Sequence, residues 1–68
     1  MGLSARNQLP GTVHSVKAGE IVALVTVQVG ENLIESVITR ESVDELKLGP
    51  GDKVRVVVKS TEVMIQKD

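Results

Sequence analysis

The sequence predicts an all-β fold: an OB-like five-stranded Greek-key barrel with one short helix between strands 3 and 4. Three observations lead to this prediction. Short stretches rich in valine, leucine and isoleucine recur along the chain, and in several of them apolar and polar residues alternate. Glycine-containing segments separate most of these stretches, as is typical of turns between strands. One segment between the third and fourth stretches has helix-capping residues instead, and this order of elements is that of a small OB-like barrel.

The strand boundaries follow from residues that interrupt a ladder or form a turn. Leu9-Pro10 opens strand 1, because proline has no N–H to donate to a ladder and suits a strand start or an edge. Strand 2 is the longest apolar run, and its first half is apolar on both faces, which is typical of a strand covered on both sides. In so short a chain we expect another subunit to provide one of the covers. The predicted strands span residues 11–16, 21–29, 33–39, 53–59 and 62–66, and the predicted helix spans residues 40–46.

The predicted helix has a capping residue at its start and a strong turn signal after its end. Thr39 is a good N-cap; alternatively, Ser42 forms a capping box with Glu45 one turn later. Gly49-Pro50-Gly51-Asp52 ends the helix and forces a turn. The side chains predicted to face inward from the helix, the following loop and strand 4 are Val43, Leu46, Leu48, Val54, Val56 and Val58.

The composition is that of one small domain that lacks the usual means of stabilising itself. With 68 residues, the chain is predicted to form a single domain over residues 1–68, and such a domain buries only a small core. It has no cysteine for disulfides or thiolate metal sites, and no phenylalanine, tyrosine or tryptophan to fill the core. We therefore expect it to complete its core by burying surface against other copies of itself.

Charge and hydropathy exclude several classes of partner. The net charge is −1 and the pI about 5.7, so the chain lacks the basic surface that nucleic acids and anionic membranes require. It also lacks the aromatic side chains on which single-stranded nucleic acids stack. No stretch approaches the ~18 apolar residues of a membrane span, and the N-terminus does not have the pattern of a secretory signal. We expect a cytoplasmic location.

Residues suited to catalysis are sparse. His14 lies in strand 1 with no cysteine or ligand cluster around it, so we interpret it as a strand-face or interface histidine. Glu41, Asp44 and Glu45 are interpreted as a solvated helix face whose charge suits the helix dipole. Because no catalytic triad, phosphate-binding glycine loop or cofactor fingerprint is present, we expect no enzymatic activity and no catalytic residues.

Two polar stretches near the chain ends contain proton donors and no carboxylate. Ser4-Ala5-Arg6-Asn7-Gln8-Leu9 supplies a hydroxyl, a permanent cation and two amides, and Lys59-Ser60-Thr61 supplies a second cation and two hydroxyls. This set suits a small oxyanion, because each group offers a proton and none repels negative charge. Taken singly, an arginine or a lysine near a chain end is most often a solvated surface residue, so the hypothesis depends on the joint pattern. Asn7 and Gln8 are interpreted as buried structural amides that tie the N-terminal segment to the barrel.

These stretches carry a resemblance to a known family. Residues 4–9 followed by Gly11, residues 38–46 (ITRESVDEL) and residues 59–65 (KSTEVMI) closely resemble the Mop or molbindin family of small molybdate-binding proteins. The resemblance covers essentially the whole chain. It implies binding of molybdate, and of the similarly sized tungstate, for intracellular molybdenum storage and homeostasis. The alternative is a non-catalytic oligomeric sensing or protein-interaction module without an anion-storage role.

The resemblance also implies which residues bind the anion. Ser4 would offer its hydroxyl and Ala5 and Arg6 their backbone amides, with the Arg6 side chain as a further candidate. Lys59 and Ser60 would supply the matching donors from the other end of the chain. In the family these groups meet between the subunits of a hexamer, a trimer of dimers. No site for a free metal cation is implied, and whether a pterin is carried stays open.

Further positions are candidates for additional molybdate contacts. Thr39 and Ser42 match positions that contact the anion in related regulators, and helix capping explains them equally well. The regulators carry an arginine a little further on, whereas this chain is acidic there, near Glu45. A second kind of site in the family, near a symmetry axis, would use backbone amides. In this chain these amides would belong to Gly19, Glu20 and Ile21.

Overall fold

The computed structural model describes residues 6–68, and its elements confirm an all-β fold with one short α-helix. Most of the predicted boundaries agree with the structure to within one residue, and the first strand is much longer than predicted. The elements are β1 (Asn7–Ala18), β2 (Val22–Val29), β3 (Asn32–Thr39), α1 (Arg40–Leu46) and β4 (Lys53–Val58), followed by a 3₁₀ helix over Ser60–Glu62.

The four strands form one antiparallel sheet in the order β3-β2-β1-β4. Strands β1, β2 and β3 are consecutive neighbours, and β4 returns after α1 to lie beside β1. That spatial order is the Greek key, so the predicted topology is confirmed for these four strands. Within residues 6–68 each of the outer strands, β3 and β4, pairs on one side only.

Strand β1 is the exception in length because it belongs to two ladders. Its first half pairs with β4 from Asn7 opposite Val58 to Thr12 opposite Lys53, and its second half pairs with β2. The sequence prediction began this strand at residue 11 because it did not anticipate the pairing of residues 7–10 with β4. A β-bulge between Val13 and Ser15 shifts the register with β2, and such bulges bend a strand and increase its twist.

The predicted fifth strand, residues 62–66, is not found in the part of the chain that the structure describes. The Glu62 N–H instead donates to the Lys59 carbonyl at 2.9 Å and closes the 3₁₀ turn. Residues 63–68 then continue without a paired strand, and Met64 and Ile65 are 93% and 90% exposed. The alternation of apolar residues in this segment suits a strand, but a strand forms only where a neighbouring strand accepts its hydrogen bonds.

The core of the chain is small, as the composition led us to expect. Its buried side chains lie on the inner face of β1 and β2 and on one side of α1: they are Val13, Ala23, Val25, Val27 and Val43. Val43 thus faces the core as predicted, whereas the prediction for Leu46 is wrong, since its side chain is 67% exposed. Leu46 lies in the last turn of α1, where it lines an open apolar groove on the inner face of the sheet.

The helix ends at Leu46, as predicted, and a lysine rather than a glycine forms its C-cap. Lys47 adopts the left-handed conformation, with φ of 54°, and its N–H donates to the Asp44 carbonyl at 3.3 Å. The turn that follows is held by the Asp52 carboxylate, which accepts from the Gly49 N–H at 2.9 Å, and by Gly51, whose N–H donates to the Val13 carbonyl at 2.8 Å. Among residues 6–68, no helix is long and apolar enough to span a membrane.

Replacing Gly11 tests how tightly β1 and β2 approach each other. A Cβ at Gly11 would lie 2.7 Å from the Gln28 carbonyl oxygen and 2.8 Å from Val27 Cγ1. We expect Gly11→Ala to lower the free energy of unfolding by about 1–3 kcal/mol, because backbone and core side chains must both shift. Urea denaturation at a fixed protein concentration measures this change.

The matched control is Gly49→Ala, where the added Cβ has no neighbour within 4 Å. We expect it to change the stability by no more than about 0.5 kcal/mol. Equal stabilities of the two variants would contradict the close approach at Gly11.

Candidate functional site

The ladder between β1 and β4 brings the two donor-bearing stretches together within one chain. Asn7 is paired with Val58, and Lys59 retains an extended backbone, with φ of −68° and ψ of 141°. Continuing the antiparallel register by one residue brings Arg6 opposite Lys59. By the alternation of strand side chains, these two residues fall on the face opposite to that of Val56 and Val58.

This end of the sheet concentrates positive charge. Arg6 and Lys59 are both exposed, and among residues 6–68 the one ion pair within 4 Å is that of Arg40 with Asp44. Like charges on directly opposed strand positions repel each other. A dianion placed between two such cations replaces this repulsion by two attractions, whereas a neutral ligand would not.

Further donors lie next to this pair of cations. Ser60 is exposed and opens the 3₁₀ helix directly after Lys59, which has no side-chain capping bond. Ser4 and Ala5, the other predicted ligands, lie outside the residues that the structure describes. The structure therefore places Arg6, Lys59 and Ser60 at the same end of the β1–β4 ladder, next to the pair of Asn7 with Val58, and the roles of all five predicted ligands stay predictions.

Asn7 and Gln8 differ from their predicted environment. Both are exposed in the chain, so the expectation of buried amides is wrong. Gln8 nonetheless ties the first residues of β1 to β4, since its Oε1 accepts a hydrogen bond from Arg55 Nη1 at 3.3 Å. An exposed bond of this kind contributes little stability, and the backbone ladder holds the segment instead.

The capping interpretation of Thr39 and Ser42 is confirmed. Thr39 is the N-cap of α1, and its Oγ1 accepts from the Ser42 N–H at 3.0 Å. The Thr39 hydroxyl also donates to Ser42 Oγ at 2.8 Å. Both hydroxyls are thus engaged with each other, and the alternative capping box between Ser42 and Glu45 is not the cap that forms.

The β1–β2 turn lies against the start of α1, so two of the predicted groups of contacts come together. The Ile21 carbonyl accepts from the Arg40 N–H at 2.8 Å, and the Gly19 carbonyl accepts from Arg40 Nη1 at 3.1 Å. The Gly19 N–H donates to the Val22 carbonyl oxygen, also at 2.8 Å. A shallow concavity between Ile21 and Arg40 is bordered by three carboxylates, which belong to Glu20, Glu41 and Asp44.

Electrostatics distinguish this turn from the end of the β1–β4 ladder. Three carboxylates surround one guanidinium, and Arg40 already pairs with Asp44 at 3.2 Å. The side chains here therefore oppose a dianion, and any attraction would have to come from backbone amides. Glu41, Asp44 and Glu45 are exposed on α1, which agrees with their interpretation as a solvated helix face.

Arg40 is the residue that the sequence reasoning missed. Its guanidinium and backbone N–H connect a turn and a helix that lie 21 residues apart. A signal was available, because Arg40 is the one cation between residues 32 and 46. Its contacts give it the role of positioning the turn against the helix.

The remaining candidates for chemistry do not form a site. His14 is exposed and occupies the bulge of β1, as expected of a strand-face histidine. Within residues 6–68, no group of three or more histidine, cysteine, aspartate or glutamate side chains is placed to hold a metal ion.

Comparisons with known proteins relate this arrangement to a family. Residues 3–65 match the model of the TOBE domain. The chain is 47% identical over 66 residues to molybdenum-pterin-binding protein 1 of Clostridium pasteurianum, covering 96% of this chain and 97% of that protein. A molybdate-binding protein from Sporomusa ovata has the same fold, with a TM-score of 0.95 and 37% identity over 98% of this chain and 100% of that one. The cytoplasmic molybdate-binding protein ModG, solved with molybdate bound, aligns with a TM-score of 0.82 and 41% identity over 88% of this chain and 43% of its own.

Substitution of Thr39 separates capping from ligand binding. Thr39→Ala removes the acceptor of the Ser42 N–H, and we expect a loss of about 1 kcal/mol in the free energy of unfolding. Thr39→Ser keeps the acceptor and should restore nearly all of that loss. Thermal or urea denaturation of the three proteins gives the comparison; equal destabilisation by alanine and serine would contradict the cap.

Proposed function

The chain belongs to the Mop, or molbindin, family of TOBE domains, and on that premise we propose that it binds molybdate, and with it tungstate, at interfaces between its copies. The family resemblance suggests the ion, and the arrangement of charges suggests the place. The proposed role is reversible binding for storage and homeostasis of molybdenum in the cytoplasm, without catalysis.

One observation carries the proposal: Arg6 and Lys59 each adjoin the last pair of the β1–β4 ladder, Asn7 with Val58, and the one ion pair within residues 6–68 involves neither of them. Molybdate has four acceptor oxygens, carries two negative charges and has no proton to give near neutral pH. Two cations balance its charge, and hydroxyl and amide donors satisfy its oxygens. This end of the sheet therefore offers what the ion needs.

We assign the ligands by joining this geometry to the family pattern. The Ser4 hydroxyl, the backbone amides of Ala5 and Arg6, the Lys59 ammonium and the Ser60 hydroxyl form the proposed donor set. Donors from two copies converge on each anion, so that a single copy supplies only part of the shell. The proposed assembly is the hexamer of the family, a trimer of dimers.

The β1–β2 turn is a weaker candidate for a second kind of site. Its carboxylates oppose a dianion, so binding there depends on the amides of Gly19, Glu20 and Ile21 from several copies meeting near a symmetry axis. The Gly19 N–H is already bonded to Val22, which leaves fewer free donors than the sequence alone indicates.

Binding at interfaces links the ion to assembly. A ligand that binds only the oligomer stabilises it by RT ln(1 + [L]/Kd), which is about 2.7 kcal/mol when the free ligand is 100 times Kd. Uptake thus tightens the assembly when molybdate is plentiful, and release follows as the free concentration falls. No bond is made or broken in this cycle.

Calorimetric titration of the purified protein tests the choice of ion. We expect molybdate and tungstate to bind with similar affinity, because they are tetrahedral dianions of nearly the same size. Sulfate has the same charge and shape but is smaller, so its oxygens cannot reach all the donors at once, and we expect it to bind more weakly. Equal affinity for sulfate would contradict a site shaped for molybdate.

A double variant tests the assigned donors. Ser4→Ala with Lys59→Ala removes two charge-assisted hydrogen bonds of about 1.5–3 kcal/mol each, so we expect molybdate to bind at least about a hundredfold more weakly at this site. The control is Lys67→Ala, which removes an exposed lysine outside the proposed donor set. If the double variant binds as many anions as the control, with equal affinity, the assignment is wrong.

A further inference from the structure

Arg55 lies on the same face of the sheet as the two cations of the proposed anion site. In the β1–β4 ladder Arg55 is paired with Pro10 and Val57 with Gln8, and every second residue of a strand shares a face. Positions 55, 57 and 59 therefore share the outer face of the sheet. Since a strand rises ~3.3 Å per residue, position 55 lies about 13 Å from position 59 along the strand.

The Arg55 side chain shortens this distance, because it reaches along the sheet toward the anion site. Its Nη1 donates a hydrogen bond to Gln8 Oε1 at 3.3 Å, although the residue paired with Arg55 is Pro10. Gln8 is two positions nearer to the end of the ladder than Pro10, so the guanidinium is drawn toward the end where Arg6 lies. Along the strand, Gln8 and Arg6 are two residues, or about 7 Å, apart.

The acceptor that holds Arg55 is uncharged. An amide oxygen orients a guanidinium and leaves its charge in place, whereas a carboxylate there would form an ion pair and neutralise it. The one ion pair within residues 6–68 joins Arg40 to Asp44, so none of the carboxylates among them neutralises Arg55. Both partners of the Arg55–Gln8 bond are exposed, so the bond adds little stability, and its consequence is the direction in which the cation points.

We propose that Arg55 is a third cation of the anion site, outside the donor set, and that Gln8 is its positioning residue. The inference rests on the proposed function and extends it. Arg6 and Lys59 supply donors to the anion, while Arg55 attracts the anion through its charge without touching it. Because a Coulomb attraction grows in proportion to the charge of the ligand, Arg55 makes the site favour doubly over singly charged oxyanions.

Lys53 is the natural comparison, because it carries the same charge on the same strand and face. It is exposed and paired with Thr12, and position 53 lies about 20 Å from position 59 along the strand. Among the side-chain hydrogen bonds of residues 6–68, none involves Lys53, so none turns it toward the site. Salt screens exposed charges over ~10 Å at 0.1 M, so Arg55 acts on the anion much more strongly than Lys53 does.

Calorimetric titration with molybdate tests the role of Arg55. At about 0.02 M salt we expect Arg55→Gln to bind molybdate about three- to tenfold more weakly than the unsubstituted protein, and the control Lys53→Gln no more than about twofold more weakly. At about 0.5 M salt both ratios should fall below about twofold, because screening removes the effect of a charge that acts at a distance. The number of anions bound should be the same in all three proteins.

Urea denaturation of the three proteins should give equal stabilities, since both substituted side chains are exposed. Three results would overturn the role of Arg55. They are an unchanged affinity of Arg55→Gln at low salt, an equal loss of affinity in Lys53→Gln, and a loss in Arg55→Gln that persists at high salt.

A double-variant cycle tests Gln8 as the positioning residue. Gln8→Leu removes the acceptor and leaves the charge on Arg55, so we expect a loss of affinity of about two- to threefold at low salt. Adding Gln8→Leu to Arg55→Gln should then cause no further loss, because Gln8 acts only through Arg55. Losses that multiply in the double variant would overturn this role of Gln8.

The outcome for Arg55 is separable from that for the proposed function. If Ser4→Ala with Lys59→Ala weakens molybdate binding and Arg55→Gln does not, the anion site stands and the role of Arg55 is overturned. If the unsubstituted protein binds no molybdate, both are overturned.

Discussion

The structure depends on one strand that serves two ladders. Strand β1 pairs with β4 along its first half and with β2 along its second, and Thr12 takes part in both, opposite Gln28 and Lys53. Next to this position the strands approach closely, since a Cβ added at Gly11 would lie 2.7 Å from the Gln28 carbonyl oxygen. Residues 6 and 59 directly adjoin the last pair of the β1–β4 ladder, Asn7 with Val58. The candidate anion site therefore depends on the register of these two strands.

The second constraint is the size of the core. Among residues 6–68 five side chains are buried, four of them on two strands, and apolar surface of the sheet stays uncovered by these residues. The proposed assembly would cover this surface, and folding and association would then be thermodynamically linked. Binding sites formed between copies suit such a protein, because the free energy of anion binding and that of association add at the same surface.

Local signals predicted the parts of the fold that depend on neighbouring residues. The helix was placed correctly because Thr39 caps its start, and strand 2 because Ala23, Val25 and Val27 alternate into the core. Long-range features were not accessible in this way. The added length of β1 comes from pairing with a strand some 45 residues away. Leu46 was expected to be buried, but its spacing on the helix does not show that the groove it lines is open.

The candidate site was likewise predictable from local composition but not in its long-range contacts. A donor-rich composition at each end pointed to an oxyanion, but only the register of β1 against β4 brings Arg6 and Lys59 together. Arg40 could be singled out as the one cation between residues 32 and 46, but its contacts with a turn 21 residues earlier could not be predicted from local pattern.

Arg6 and Lys59 lie at the same end of the sheet, and this has a consequence for the duplication of such a domain within one polypeptide. Because β1 and β4 are antiparallel neighbours, the chain enters β1 and leaves β4 at the same end of the sheet, so a second copy could be joined there through the segment that follows Val58. Gene duplication in tandem would therefore yield a covalently joined pair without rearrangement of either sheet. The geometry makes this module easy to repeat within one longer polypeptide.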